Sequence, residues 1–318
     1  MDKYSLIFWK PILESIRYLL TENVQPEEFE CPHNFDFDRA VTTNVGNIVL
    51  NTNRDNDIGS GGFGKIYHAF WPDQERCVAI KISGLETSRK KAVKNELNIL
   101  SNFSGIDESH SHIIKIYGSE EDKVNKNMYI VMELGGQSLD KYFNENKNNH
   151  QHNMHNFVRD IFRATALAIQ QFHNAGGIHL DIKADNFIMA LNDNQSEIQV
   201  NPLKCKLIDF NTSVFLSNIN KAKLSLATED YMAPEIRSKL FSNRKDNLSQ
   251  KVDIWAFGLM GYELLYGELP EGYKKIDKTL NNYRANVAQN THLDHIIKQC
   301  INVDPNQRPG IDDILRSL

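Results

Sequence analysis

The chain has 318 residues, of which 41% are apolar and 24% charged, enough for one large domain or two modest ones around a real core. Its formal charge of -5 leaves no basic footprint and argues against nucleic acid as a partner. Cys31, Cys77, Cys205 and Cys300 lie far apart with no paired spacing, which speaks against a disulfide framework or a zinc site and suits a reducing compartment. No stretch has the length of uninterrupted apolar residues that a membrane span needs. The richest, 254–267, carries Glu263 and several glycines and reads as a buried helix. Residues 1–20 lack a basic head, apolar core and cleavage site, so an intracellular location, cytoplasmic or nuclear, is expected.

In chain order, Trp9, Ile12, Leu13, Ile16, Leu19 and Leu20 recur at helical spacing behind Pro11 and predict an amphipathic helix. Its polar face has no basic excess, so docking on the body of the protein or on a partner is expected rather than membrane binding. Residues 1–50 form an N-terminal extension, with the mixed polar stretch 21–57 read as a linker. Short apolar alternations from Ile58 to Ile82, broken by glycines and a Trp71-Pro72-Asp73 turn, predict antiparallel strands. A helix follows over 90–100, and 128–134 is a short apolar strand ending at Gly135-Gly136. Beyond this break the pattern is mainly helical, with strong helices at 157–175 and 253–266. Residues 144–156 and 192–204 read as polar inserted loops, and His150, His152 and His155 lack the partners of a metal site. The fold class expected is α+β, a strand-rich part over 51–134 and a larger helical part over 135–318.

Residues 179–186, His-Leu-Asp-Ile-Lys-Ala-Asp-Asn, concentrate polar side chains between apolar runs, at the spacing with which a loop can address a hydroxyl, a phosphate and a metal. Residues 58–66, Ile-Gly-Ser-Gly-Gly-Phe-Gly-Lys-Ile, place Gly59, Gly61, Gly62 and Gly64 around Phe63 in a hairpin whose amides can approach phosphate oxygens. A strand follows this glycine turn, which disfavours a dinucleotide-binding fingerprint, where a helix would follow. Lys81 ends the apolar strand Val78-Ala79-Ile80 and needs an anion if buried, for which Glu96 on the next helix fits better than Glu86. Asp209 ends the apolar run Leu207-Ile208, and with Asn186 it supplies the oxygen ligands that suit Mg²⁺. Ala233-Pro234-Glu235, Asp253-Ile-Trp-Ala-Phe-Gly258 and Asp304 to Arg308 read as structural segments with charges beside apolar residues.

Taken in this order, the segments resemble the eukaryotic-type protein kinase family over 57–318, and the glycine loop, Val-Ala-Ile-Lys, helix glutamate, catalytic loop, Asp-Phe, Ala-Pro-Glu and late arginine carry the resemblance. The resemblance implies a bilobal fold, small lobe 51–134 and large lobe 135–318, that transfers the γ-phosphate of ATP, with Mg²⁺, to protein substrates. It implies Asp181 as the base for the substrate hydroxyl, Lys183 on the transferring phosphoryl group, Asn186 and Asp209 on Mg²⁺, and Lys81 paired with Glu96 on the phosphates. Adenine would lie between Ile58, Ile66 and Ala79 on one side and Ile188 on the other, against the backbone of Glu133 to Gly135, with Met132 behind it. Glu235 would pair with Arg308. With Lys183 and Thr228 the chain resembles the serine/threonine branch of the family.

Two positions depart from the family pattern. Leu180 stands where an arginine usually reads a phosphorylated activation loop, which implies activity independent of phosphates on Thr212, Ser213, Ser217 or Ser225. Asn211 stands for the glycine after Asp-Phe, a residue that still tolerates left-handed backbone but has less freedom to flip. Both departures leave a nucleotide-binding pseudokinase that acts as a scaffold as the alternative to an active enzyme.

Overall fold

The computed structural model describes residues 37–52, 57–191, 200–221, 228–237 and 248–318; the helix expected over residues 9–20 lies outside them. The chain divides into two compact units, one comprising residues 1–94, 115–134 and 193–198, the other residues 95–114, 135–192 and 199–318.

The first unit is built on a seven-stranded antiparallel sheet. Its strands are β1 (Arg39–Thr43), β2 (Gly46–Leu50), β3 (Asp57–Gly61), β4 (Gly64–Trp71), β5 (Arg76–Gly84), β6 (Ile116–Asp122) and β7 (Asn127–Met132). They run in the order β1-β2-β4-β5-β7-β6, with β3 paired to β4 off this path. The alternation read from Ile58 to Ile82 is thus the β3-β4-β5 meander. Pro72 opens the single 3-10 turn between β4 and β5, and Glu75 closes it with φ 50°. The polar segment read as a linker is in part the β1-β2 hairpin, a correction with a physical reason. Only Val41, Thr43, Ile48, Val49 and Leu50 are buried there, too few for alternation to stand out. Residues 39–50 therefore belong to the sheet and not to an extension outside it.

Val41, Ile48, Leu50, Tyr67, Ala69, Val78, Ile80, Tyr129 and Val131 form one buried cluster inside this sheet. Each large apolar side chain in it contributes about 1.5–3 kcal/mol of transfer free energy. The sheet curls until the two ends of its strand path meet. Asn44 Oδ1 accepts from the Ser119 amide at 2.8 Å, and Arg39 Nη2 donates to Tyr129 Oη at 2.6 Å. Gly118 permits this, because a Cβ there would run into the Asn44 side chain and lie 2.5 Å from Val45 Cγ1.

In the second unit, α1 (Thr87–Ser101) contributes its last turns, followed by α2 (Leu139–Asn146) and α3 (Met154–Asn174). Residues 147–153 are a 3-10 helix continuous with both neighbours, so the expected loop over 144–156 is helical. Its Asn and His content hides this from periodicity, yet His150 stacks on Phe157 at 4.1 Å. Next come β8 (Gly177–Ile178), β9 (Phe187–Leu191), β10 (Val200–Leu207) and β11 (Val214–Phe215), pairing as β8-β11 and β9-β10. Four helices complete the unit after the short α4 (Pro234–Arg237): α5 (Lys251–Tyr266), α6 (Tyr273–Ala285), α7 (His292–Cys300) and α8 (Ile311–Ser317). Residues of α5 are buried all round, as expected of a helix at the middle of a core. Phe257 stacks on Phe162 of α3 at 3.8 Å, and Gly258 and Gly261 let Cys300, Ile301 and Phe162 approach the backbone closely. Among the described residues no helix is long and apolar enough to cross a membrane, and Cys205 and Cys300 are buried thiols.

The Gly118 contact yields a stability test. Gly118→Ala is expected to cost about 1–3 kcal/mol by overpacking, seen as a lower urea midpoint at unchanged slope. An unchanged midpoint would show that the Asn44-Val45 turn does not dock on β6.

Candidate active site

Within the first unit, register brings the expected nucleotide residues onto neighbouring rungs. Gly59 pairs with Ile66, Ile66 with Lys81 and Lys81 with Ile130, while Ala79 pairs with Met132. Directly paired residues and residues two apart on a strand share a face, so Ile66, Ala79 and Lys81 line one surface of the sheet. Gly61 and Gly64 close the β3-β4 hairpin around Gly62 and Phe63. At Gly64 φ is 153° and a Cβ would lie 2.5 Å from the Ile82 carbonyl oxygen, so only glycine fits. Gly62 has open space around it, Phe63 is half-buried and Ile58 is exposed. Met132 and Lys81 are buried. The Glu133 amide donates to the Lys115 carbonyl at 2.9 Å, and its carboxylate accepts from the Lys115 amide at 3.2 Å.

The second unit holds the loop 179–186, framed by β8 and β9, with Ala184–Asn186 as one 3-10 turn. Asp253 near the start of α5 anchors it. Its carboxylate accepts from the amides of His179 at 2.7 Å and Leu180 at 2.9 Å, and His173 Nε2 lies 2.9 Å away. Those bonds hold Leu180, itself buried, at φ 69°, a left-handed conformation that a leucine avoids. Asp253, read from sequence as structural, therefore sets the backbone on which Asp181 stands. Its position two residues before a tryptophan in a buried helix was visible in the sequence, but its partner 74 residues away was not.

Asp181 is buried and its carboxylate is fully engaged. Thr228 donates to it through Oγ1 at 2.6 Å and its amide at 3.3 Å, Asn186 Nδ2 donates at 2.8 Å, and Lys183 Nζ lies 3.1 Å away. Lys183 Nζ also donates to Thr228 Oγ1 at 3.1 Å. Burial by itself would raise the Asp181 carboxyl, but the Thr228 hydrogen bond and the Lys183 charge outweigh it and hold the group below the usual carboxylate range. The side chain is thus an acceptor at neutral pH. Asp181, Lys183, Asn186 and Thr228, distant in sequence by up to 47 residues, form one network.

Asn186 uses its Nδ2 on Asp181, which turns its amide oxygen elsewhere, and its carbonyl accepts from the Ile208 amide at 3.0 Å. This seats the loop beside the strand end that leads to Asp209. Asp209 has φ 62°, and Asn211 Nδ2 donates to its Oδ1. No group of three or more His, Cys, Asp or Glu that could hold a metal occurs among the described residues. One carboxylate and one amide oxygen are the donor set of a cation shared with a phosphate ligand, the way Mg²⁺ is usually held, and do not make a closed protein cage. Phe210 is buried edge-on against Phe172 at 5.0 Å and His179 at 5.1 Å.

Ile188 on β9 packs against Gly135 so closely that a Cβ there would collide with it, and the Gly136 amide donates to the Met189 carbonyl at 2.8 Å. Glu96 is buried on α1, whereas Glu86 is exposed just before that helix. Arg308 binds Glu235 with both ends of its guanidinium, at 2.7 and 2.8 Å, as expected. Its ring neighbour is Trp255, 5.0 Å from the guanidinium carbon. Thr212 and Ser213, named as phosphate acceptors from sequence, are buried, and their hydroxyls donate to the His179 carbonyl at 3.0 and 3.1 Å. They serve as ties within the fold, which sequence could not reveal because the acceptor lies 33 and 34 residues away.

The anchor can be tested apart from any activity. Asp253→Ala strands two buried main-chain amides and is expected to cost about 3 kcal/mol or more, read by denaturant unfolding. A loss below about 1 kcal/mol, less than a single stranded donor costs, would mean that the loop does not depend on this carboxylate.

Comparison with known proteins gives the same picture. The model of the protein kinase domain matches residues 52–318. The serine/threonine-protein kinase ste20 of Emericella nidulans is 27% identical over 272 residues, which is 82% of this chain and 29% of that protein. The serine/threonine-protein kinase MPS1 of Encephalitozoon cuniculi is 27% identical over 81% of this chain and 41% of its own length. Calcium-dependent protein kinase 22 of Arabidopsis thaliana is 29% identical over 67% of this chain and 40% of its own. The matched region spans well under half of each of these relatives. With the glycine hairpin, the loop around Asp181 and the Glu235–Arg308 pair in place, and a family model covering most of its length, the chain belongs to the protein kinase family.

Proposed function

We infer that the protein is an active serine/threonine kinase that transfers the γ-phosphate of ATP to hydroxyls of protein substrates. The observation that carries this reading is the network of Asp181, Lys183, Asn186 and Thr228. A carboxylate held ionised and oriented can accept the proton of an incoming serine or threonine hydroxyl. Lys183, within reach of that carboxylate, offers a positive charge to a phosphoryl group arriving at the same point. Asn186 and Asp209 would hold Mg²⁺, which when bound neutralises charge on the phosphates. By the pattern of the family, Lys81 with Glu96 would act on the nucleotide phosphates, and Ile58, Ile66, Ala79, Met132, Glu133, Gly135 and Ile188 would receive the adenine.

A scaffold that binds nucleotide without phosphotransfer is the second reading, and one contact favours it: the Asn211 amide occupies an oxygen of Asp209 that a metal would use. Mass spectrometry of the protein incubated with ATP and Mg²⁺ separates the two. The enzyme reading expects phosphate on serine or threonine, reduced about 10²–10⁴-fold by Asp181→Asn and lost in Lys81→Met. No incorporation by the natural chain, with nucleotide binding retained, would establish the scaffold.

Leu180 bears on regulation. It carries no guanidinium for a phosphorylated loop, and Thr212 and Ser213 are buried. Ser217 and Ser225 are then the acceptors to test. Ser217→Ala with Ser225→Ala is expected to keep kcat within about threefold of the natural chain, a change worth under 1 kcal/mol. A drop of two orders of magnitude would show that a phosphate there switches the enzyme on.

A further inference from the structure

The geometry points to Asn95, the residue before Glu96, as a positioning residue that holds the segment following Asp209 in its working conformation. This rests on the protein kinase reading given above. The four residues after Asp209, Phe210 to Ser213, are buried and belong to no strand or helix; they make one turn bond of their own, from the Ser213 amide to the Phe210 carbonyl at 3.2 Å, and their other main-chain groups need partners from elsewhere. Asn95 Nδ2 lies 3.2 Å from the Phe210 carbonyl, 3.3 Å from that of Asn211 and 2.9 Å from that of Ser213. One amide nitrogen with two hydrogens thus gathers three carbonyls of one turn. From the other side Thr212 and Ser213 donate to the His179 carbonyl, and the His179 amide donates to Asp253. The ties form one path from α5 through the catalytic loop to α1.

Two left-handed residues, Leu180 at φ 69° and Asp209 at φ 62°, lie on this path. Such backbone persists only where its surroundings determine it, and here the determinants are side chains of the fold itself, the Asp253 carboxylate at Leu180 and the Asn95 amide beyond Asp209. The Leu180 side chain can offer only apolar contact, so the polar hold on the segment comes from Asn95 of α1 and from the His179 carbonyl. Asn95 touches neither substrate nor phosphate; it acts through Asp209. The amide is specific for this task. A carboxylate of the same shape has no hydrogen to give and would face three carbonyl oxygens.

The test compares Asn95→Asp and Asn95→Ala with Asn95→Gln, which keeps the amide on a longer stem. Hydrogen exchange is followed at the amides of 209–213 in the protein without nucleotide or metal. In parallel, kcat and the Mg²⁺ concentration for half-maximal rate are measured. Asn95→Asp and Asn95→Ala are expected to speed exchange in 209–213 about tenfold or more and to raise the Mg²⁺ requirement about tenfold, the size of one lost buried hydrogen bond. The KM for the peptide substrate is expected to be unchanged, and Asn95→Gln to recover part of both effects. Natural exchange and natural Mg²⁺ dependence in Asn95→Asp would overturn the proposal, as would loss of peptide KM and Mg²⁺ dependence together in all three. If Asn95→Asp does not fold, Asn95→Ala decides. If the natural chain transfers no phosphate, the kinase reading fails by itself, and the exchange measurement still decides whether Asn95 holds the segment.

Discussion

The Asp253 carboxylate is the contact on which the site depends. A loop that must present three polar side chains in one direction cannot satisfy its own main chain, and buried amides without acceptors are costly. Asp253 takes two of those amides at once. In doing so it fixes the left-handed turn at Leu180, and through that turn the direction of Asp181. The carboxylate sits on α5, the most enclosed helix of the unit, so its position is set by packing against α3 and α7 and is insensitive to solvent. Rigid packing below and polar chemistry above are therefore coupled through one side chain.

Electrostatics at Asp181 follow from the same economy of partners. The group is buried, which alone would favour the neutral acid, yet it has a hydroxyl, an amide and an ammonium around it. Those donors make the ionised form the stable one. Thr228 serves twice, as donor to Asp181 and acceptor from Lys183, so the lysine is held near the carboxylate without neutralising it completely. Loss of that hydroxyl would alter the base and the cation together.

The parts of this architecture that sequence made legible are those whose residues are near one another in the chain. Asp181, Lys183 and Asn186 occupy one loop, and the glycines from 59 to 64 occupy one hairpin, so spacing sufficed. Helix α3 was visible because its buried positions repeat at helical period, and α5 because it is a long apolar run. The β1-β2 hairpin was not, since its polar Thr42, Asn44 and Asn47 outweigh a short apolar set. The 3-10 helix at 147–153 has no buried residue and hence no pattern to read. Asn95 was invisible for another reason: the carbonyls it gathers lie 115 to 118 residues further on, and no local rule connects them.

Closure of the first sheet has a kinetic side. β1 pairs with β2 across a two-residue turn, so the hairpin can form as soon as it leaves the ribosome, whereas the Ser119 amide that donates to Asn44 is 75 residues downstream. At synthesis rates of about 5–20 residues per second, the hairpin waits on the order of several seconds for that partner. Throughout this interval the outer edge of β1 is an open template for foreign strands. The exposed charge of Arg39 on β1 thus guards that edge in a growing chain and binds Tyr129 in the finished one.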